Sequence, residues 1–305
     1  MWPKRDERRN EIIKKLRWHS DNIRELPGIA NKNALETLAM QFIASERRED
    51  YYRLVQAKRI SECRADPNDV RFDAERAVAY HMQNGNIDEA AWLIFLMTHF
   101  AKPAESGWLR LRDIYGKLGQ GIWDWRTVSS APNEFISWVE DNWQDIRGKF
   151  GNHRKYESLS PNARRSFRRI VSDYINMIGK DGHEKFFSIA VQQAGNNSET
   201  IFDFLYRKIV VLSFGRLAKF DYLSLIGRYG IAPIHAGKAY FGGATGPTRG
   251  AKLLFTGNPE SQLSTSTLQQ YVDALDADIE VGMYVMEDAL CNWQKSPSEF
   301  VHFRG

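Results

Sequence analysis

Glu287 and Asp288 stand side by side in VGMYVMEDALCNWQKSP, residues 281–297, a stretch that is otherwise largely apolar. Helical spacing puts Glu287, Cys291 and Lys295 on one track and brings Asp288 near Asn292 and Trp293. Adjacent acids on an apolar helix either point into a cleft, where a carboxylate can stabilise positive charge or orient water, or pair with a buried arginine for structure; both readings stand. A second acidic cluster lies in KRISECRADPNDVRFDAERA, residues 58–77, where Arg59, Arg64, Asp66 and Asp69 gather between helices. Irregular segments on a rigid scaffold are common homes for sites, and helix capping by Asp66 or Asp69 is the competing role.

The cationic residues are also clustered. GNHRKYESLSPNARRSFRRI places His153, Arg154 and Lys155 in a loop, then Arg164, Arg165, Arg168 and Arg169 on an expected helix over 161–178 that starts at Ser160-Pro161. Spacing of i, i+4 gathers these four arginines on one face, suited to phosphates or simply to solvent. GGATGPTRGAKLLF, residues 242–255, runs from a Gly-rich turn into an apolar helix, with Gly246, Thr248, Arg249 and Lys252 near its start. Free N–H groups and the positive end of the helix dipole favour a phosphate there. LPGIANKNAL, from residue 26, has a similar hairpin shape but carries Ala30 where a second turn glycine is usual. Trp123 and Trp125 in GIWDWRT are placed either to stack on a base or to fill the core.

These residues need a frame. The 305-residue chain reads as an all-α protein in one compact helical unit with a cleft between lobes, preceded by a charged N-terminal helix over 1–25. Helical periodicity covers 33–54, 72–83, 87–101, 108–119, 132–148, 161–178 and 198–218, and loops at 102–107, 179–183, 194–197 and 257–264 are the candidate seams. The longest apolar run, Ala90 to Phe100, is too short to span a bilayer. No secretory h-region is present and only Cys63 and Cys291 occur, which fits a reducing cytoplasm. Metal-hydrolase, serine-nucleophile and dinucleotide motifs are missing from the sequence.

RISECRADPNDVRFDAERA, EAAWLIFLMTHF, GNHRKYESL, GATGPTRGAKLLF and MEDALCNWQKS, in that order, resemble the alpha-glutamyl/putrescinyl thymine pyrophosphorylase group, third clade, over about residues 26–297. The resemblance implies an all-helical fold similar to helix-hairpin-helix DNA glycosylases, double-stranded DNA as partner and a modified pyrimidine as target. Members are linked to phage hypermodified DNA, either installing groups on the base or, in defence, excising it. The excision reading expects a glycosylase that flips the nucleotide, leaves an abasic site, and needs no cofactor, membrane or obligate protein partner. Asp66, Glu287 and Asp288 are then the candidate acids. Asp273 joins them, 22 residues after Ala251, because glycosylases of this type carry an Asp about that far beyond the hairpin. Arg59, Arg64, Trp123, Trp125, Asn292 and Trp293 would line the base pocket. The alternative, a transferase that displaces pyrophosphate, would draw on Arg59, Arg64, His153 and Lys155, with Mg²⁺; a non-catalytic sensor of modified DNA is the third reading.

Overall fold

The computed structural model describes residues 2–303, and every regular element among them is helical. In chain order the α-helices are α1 (Asp6–Asn22), α2 (Lys32–Gln56), α3 (Ala74–Gln83), α4 (Ile87–Phe100), α5 (Leu109–Tyr115), α6 (Trp125–Ser130) and α7 (Pro132–Asn142). They continue with α8 (Phe167–Ile178), α9 (Gly182–Ala194), α10 (Ser198–Lys208), α11 (Arg216–Arg228), α12 (Thr245–Thr256), α13 (Thr265–Ile279) and α14 (Met283–Trp293). No helix among the described residues is long and apolar enough to cross a membrane.

The described residues divide into two units, one formed by residues 2–51 with 236–303, the other by 52–235. Neither boundary lies in a loop expected as a seam: one falls inside α2, between Tyr51 and Tyr52, and the other between His235 and Ala236.

In the first unit α1 packs on α13, and α12 packs along α14. Arg8 on α1 reaches Glu46 on α2 (2.8 Å) and the carbonyl of Ile279 at the end of α13 (3.2 Å), so one guanidinium ties three helices. Gly246 and Gly250 are spaced four apart on α12 and both face α14: a Cβ on Gly250 would stand 2.2 Å from the Leu290 carbonyl oxygen. The short turn Pro27–Ile29 seats against α12 in the same way, with Gly28 pressed on the Leu253 carbonyl.

In the second unit α4 is the axle. Every residue from Ala90 to Phe100 is buried, as expected of a helix that is apolar all round, and α3, α5, α6, α9 and α11 all pack on it. Aromatic rings fill the surroundings, with Phe95 stacked on Tyr174 at 3.8 Å between centroids and Trp92 donating its indole N–H to the Trp123 carbonyl (2.9 Å).

Several helices are shorter than periodicity suggests. The segment expected to run 161–178 becomes helical only at Phe167, because Ser166 caps α8 by accepting the Arg169 N–H and Ser160 closes a turn onto Ala163. Residues beyond Asn142 leave the helix where buried Asp113 takes the Arg147 backbone N–H (2.9 Å) and its guanidinium (2.7 Å). The expected helix 198–218 is two helices, interrupted by Ser213 at φ 65°, and the one expected over 108–119 ends at Tyr115, before Lys117 and Leu118 take positive φ.

Candidate functional site

The second unit holds a groove of about 590 Å³ whose walls come from five elements. His81 lies on α3, Asp88 and Glu89 in the first turn of α4, Tyr115 at the end of α5, Trp125 and Arg126 at the start of α6, and Lys180 and Asp181 just ahead of α9. Local chemistry explains each placement. Asp124 caps α6 by accepting the Thr127 N–H (2.7 Å), which points Trp125 and Arg126 from the first turn. Asp88 and Glu89 sit where carboxylates complement the helix dipole.

The two carboxyls meet different surroundings. Glu89 accepts the Tyr115 hydroxyl (2.5 Å) and the Trp125 backbone N–H (2.7 Å). Burial pushes it up to about 7; those bonds oppose the rise, and the charges of Asp124 and Asp88 add to it. Asp88 is also raised by burial, but hydrogen bonds from the His183 ring (3.0 Å) and backbone N–H (2.5 Å) outweigh that and hold it below the usual carboxylate range. Beside them, neither ring nitrogen of His81 has a hydrogen-bond partner, and burial lowers this histidine to about 4.

The residues expected from sequence fall in several places. Trp125 lines the groove; it and Trp123 are both buried, with Trp123 packed among Phe135 and Trp138. Asp66 accepts the Asn68 N–H (2.8 Å) in its own loop, and Asp69 accepts three hydrogen bonds from Arg71, two from the guanidinium and one from the backbone N–H, which hold its carboxyl far below the usual range. Arg64 donates to the Arg71 carbonyl (2.9 Å), while Arg59 is exposed.

In the first unit, Asp288 accepts from Ser45 (2.6 Å), from Arg48 and from Asn292 (2.9 Å), and Asn292 in turn accepts from Lys295 (2.9 Å). This is the arginine-paired arrangement that the sequence left open. Asp288→Asn is expected to lower stability by about 1 kcal/mol or more, read as a drop in Tm, because the carboxylate organises four donors at once. Glu287 is buried, Trp293 is fully buried with its indole N–H on the Pro297 carbonyl (3.1 Å), and Asp273 is exposed and bonded by Gln269 (2.7 Å). Counting about twenty residues from Ala30, in the first hairpin, ends on Asp50, which α2 carries and Arg5 pairs.

The arginine face is not one helical face. Arg164 and Arg165 precede α8, while Arg168 and Arg169 occupy its first turn. Arg168 binds Glu140 and Arg165 approaches Glu157 (3.5 Å), whereas Arg164 and Arg169 have no carboxylate at ion-pair distance among the described residues. His153 and Lys155 are exposed. Arg154 is not available to a phosphate: it is buried, donating to the carbonyls of His99 (3.2 Å) and Ser213 (2.8 Å) to anchor its loop. On α12, Gly246 and Gly250 serve helix packing, Thr248 donates to the Phe241 carbonyl (3.1 Å), Arg249 pairs with Glu260 and Lys252 is half-buried.

Sequence reasoning overlooked Asp88 and Glu89. The signal was present in IDEAAWLIFL, where two acids join the most apolar run of the chain with no polar spacer. Among the described residues no group of three or more His, Cys, Asp or Glu side chains is arranged to hold a metal ion.

The profile of the alpha-glutamyl/putrescinyl thymine pyrophosphorylase family, clade 3, matches residues 33–305. Neither the curated proteins nor the solved structures give a match.

Proposed function

The chain belongs to the clade 3 family of alpha-glutamyl/putrescinyl thymine pyrophosphorylases, and we propose that within this family it is a DNA glycosylase. Its substrate is duplex DNA carrying a bulky modified pyrimidine, such as glucosylated 5-hydroxymethylcytosine, and its product is an abasic site. The biological setting we assign is defence against phage with modified genomes.

The observation that carries this reading is the charge and shape of the groove. Trp125, Tyr115 and Ile122 offer aromatic and apolar walls in a space of about 590 Å³, enough for a flipped pyrimidine with a substituent. Four carboxyls, Asp88, Glu89, Asp124 and Asp181, face two permanent cations, Arg126 and Lys180. Breaking an N-glycosidic bond develops positive charge on the sugar, which carboxylates stabilise. The family description points instead to pyrophosphate chemistry, and displacing pyrophosphate would place several negative charges in the same space. Such a leaving group calls for surplus cations, so the groove favours excision. Phosphates of the duplex would be met elsewhere, with Arg164, Arg169 and Lys252 as the proposed contacts.

The test is direct. Protein is incubated with unmodified DNA, hydroxymethylcytosine DNA and glucosylated phage DNA; abasic sites are counted and released bases identified by mass spectrometry. Release of a modified base from modified DNA alone, with strands intact until alkali treatment, is the expected result. Intact DNA in all three, with binding retained, would sink the proposal and favour pyrophosphate displacement or sensing.

A further inference from the structure

Resting on that excision reading, we propose that Glu89 and Asp88 are the acid and the base of the groove: Glu89 protonates the departing pyrimidine and Asp88 deprotonates the attacking water. None of the acids conspicuous in the sequence has this placement.

The geometry comes first. Both side chains line one groove from consecutive positions on α4, whose next eleven residues are buried, so the most tightly packed helix of the unit sets their backbone. Each carboxyl is then oriented by its own partners. Tyr115 and the Trp125 backbone hold the two oxygens of Glu89 from one side. His183 holds Asp88, and the chain continues inward: His183 Nε2 meets the Tyr174 hydroxyl (2.7 Å), which meets the Tyr222 hydroxyl (3.0 Å). Burial keeps His183 neutral despite Asp88, so its Nδ1–H donates to the carboxylate and its Nε2 accepts from Tyr174. His183 and Tyr174 are positioning residues, since neither lines the groove.

Two adjacent carboxyls driven in opposite directions, one holding its proton near neutral pH and the other ionised, form the pattern that separates an acid from a base. The groups facing the pair are His81 from α3, Tyr115 from α5, Asp124 and Arg126 at α6, and Lys180, Asp181 and His183 around the start of α9. His81 stays neutral there, and its unpartnered ring nitrogens add a polar surface at the groove.

The step balances with water as the only co-reactant. The C1′–N1 bond breaks and its electron pair leaves on the pyrimidine, which takes the Glu89 proton. The water oxygen bonds to C1′ and gives its proton to Asp88. A free base and a hemiacetal sugar result, and proton exchange with solvent resets the two carboxyls.

Single-turnover excision from glucosylated DNA by the full chain tests the assignment over pH 5–9. Glu89→Gln is expected to slow excision by about 10²- to 10⁴-fold, with DNA affinity changed less than about threefold, and to abolish the fall in rate above pH 7. Asp88→Asn should slow excision at every pH in this range, because the carboxylate it replaces is held below the usual range and is ionised throughout. Tyr115→Phe takes away a hydrogen bond that lowers Glu89, so its high-pH limb should move upward, which a purely structural tyrosine would not cause. Melting curves verify folding, and the Tyr115 variant serves if the Glu89 variant fails to fold. Base release by wild type together with unchanged rate and pH profile in a folded Glu89→Gln, or an unmoved limb in Tyr115→Phe, overturns these roles and leaves excision standing. Wild type that releases no base overturns the excision reading and the roles with it.

Discussion

Gly250→Ala is expected to destabilise the first unit by about 3 kcal/mol or more, at the severe end for one added methyl group. The new Cβ would lie 2.2 Å from the Leu290 carbonyl oxygen and 2.7 Å from its carbonyl carbon. Both atoms belong to the backbone of α14, so no rotamer change relieves the contact and the helices must separate. Alanine's better helix propensity returns only about 1 kcal/mol. Two neighbours make the experiment specific. Gly246→Ala meets the Cys291 side chain at 2.6 Å, and the double variant with Cys291→Ala should recover most of its loss. Gly243→Ala meets nothing within 4 Å but sits at φ +76°, so it should cost only the strain of that conformation, about 1 kcal/mol. Thermal melts of the four proteins check the order: Gly250→Ala lowest, Gly243→Ala nearest to wild type. Equal melting of Gly250→Ala and Gly243→Ala would mean that α12 and α14 do not pack as closely as described.

The same residues show why some of the molecule was legible in sequence and some was not. A long apolar run announced α4, because an element packed on every side has no polar face to disguise it, and helical periodicity along the rest of the chain pointed to the all-helical fold. Helix ends were misjudged where a distant residue decides them. Nothing near Asn142 says that Asp113, some thirty residues earlier, will draw Arg147 out of the helix. The glycines of GGATGPTRG suggested a phosphate cradle, but Gly246 and Gly250 face α14, a role visible only with α14 in place. For the groove the difficulty is sharper. Acids in a first helical turn are ordinary complements of the dipole. What sets Asp88 and Glu89 apart is burial and hydrogen bonding by Tyr115, Trp125 and His183, which lie 26 to 95 residues away in the chain.

Glu89→Gln is expected to change how stability depends on pH, whatever reaction the groove performs. The Glu89 carboxyl rises from 4.5 to about 7 on folding, so between those values the folded state holds a proton that the unfolded state has lost. Its contribution is therefore full below about pH 4.5, declines as pH rises through 7, and is level above, a change of up to about 3 kcal/mol. His81 acts in the opposite sense. Its ring falls from 6.5 to about 4, so its contribution is full above 6.5 and is lost as pH falls towards 4. In wild type the two slopes oppose each other across the shared window, and the stability curve should be shallow there. Glu89→Gln removes the falling slope and unmasks the rising one, so its Tm relative to wild type should climb from pH 5 to about pH 7 and stay level beyond. His81→Asn should do the reverse, and the double variant should be flatter than either. Melting series at half-unit pH steps give the answer, and curves that run parallel for wild type and Glu89→Gln would show that this carboxyl is solvated. The proton that makes Glu89 a candidate acid would then be absent at neutral pH, and the catalytic assignment would lose its chemical basis together with the stability effect.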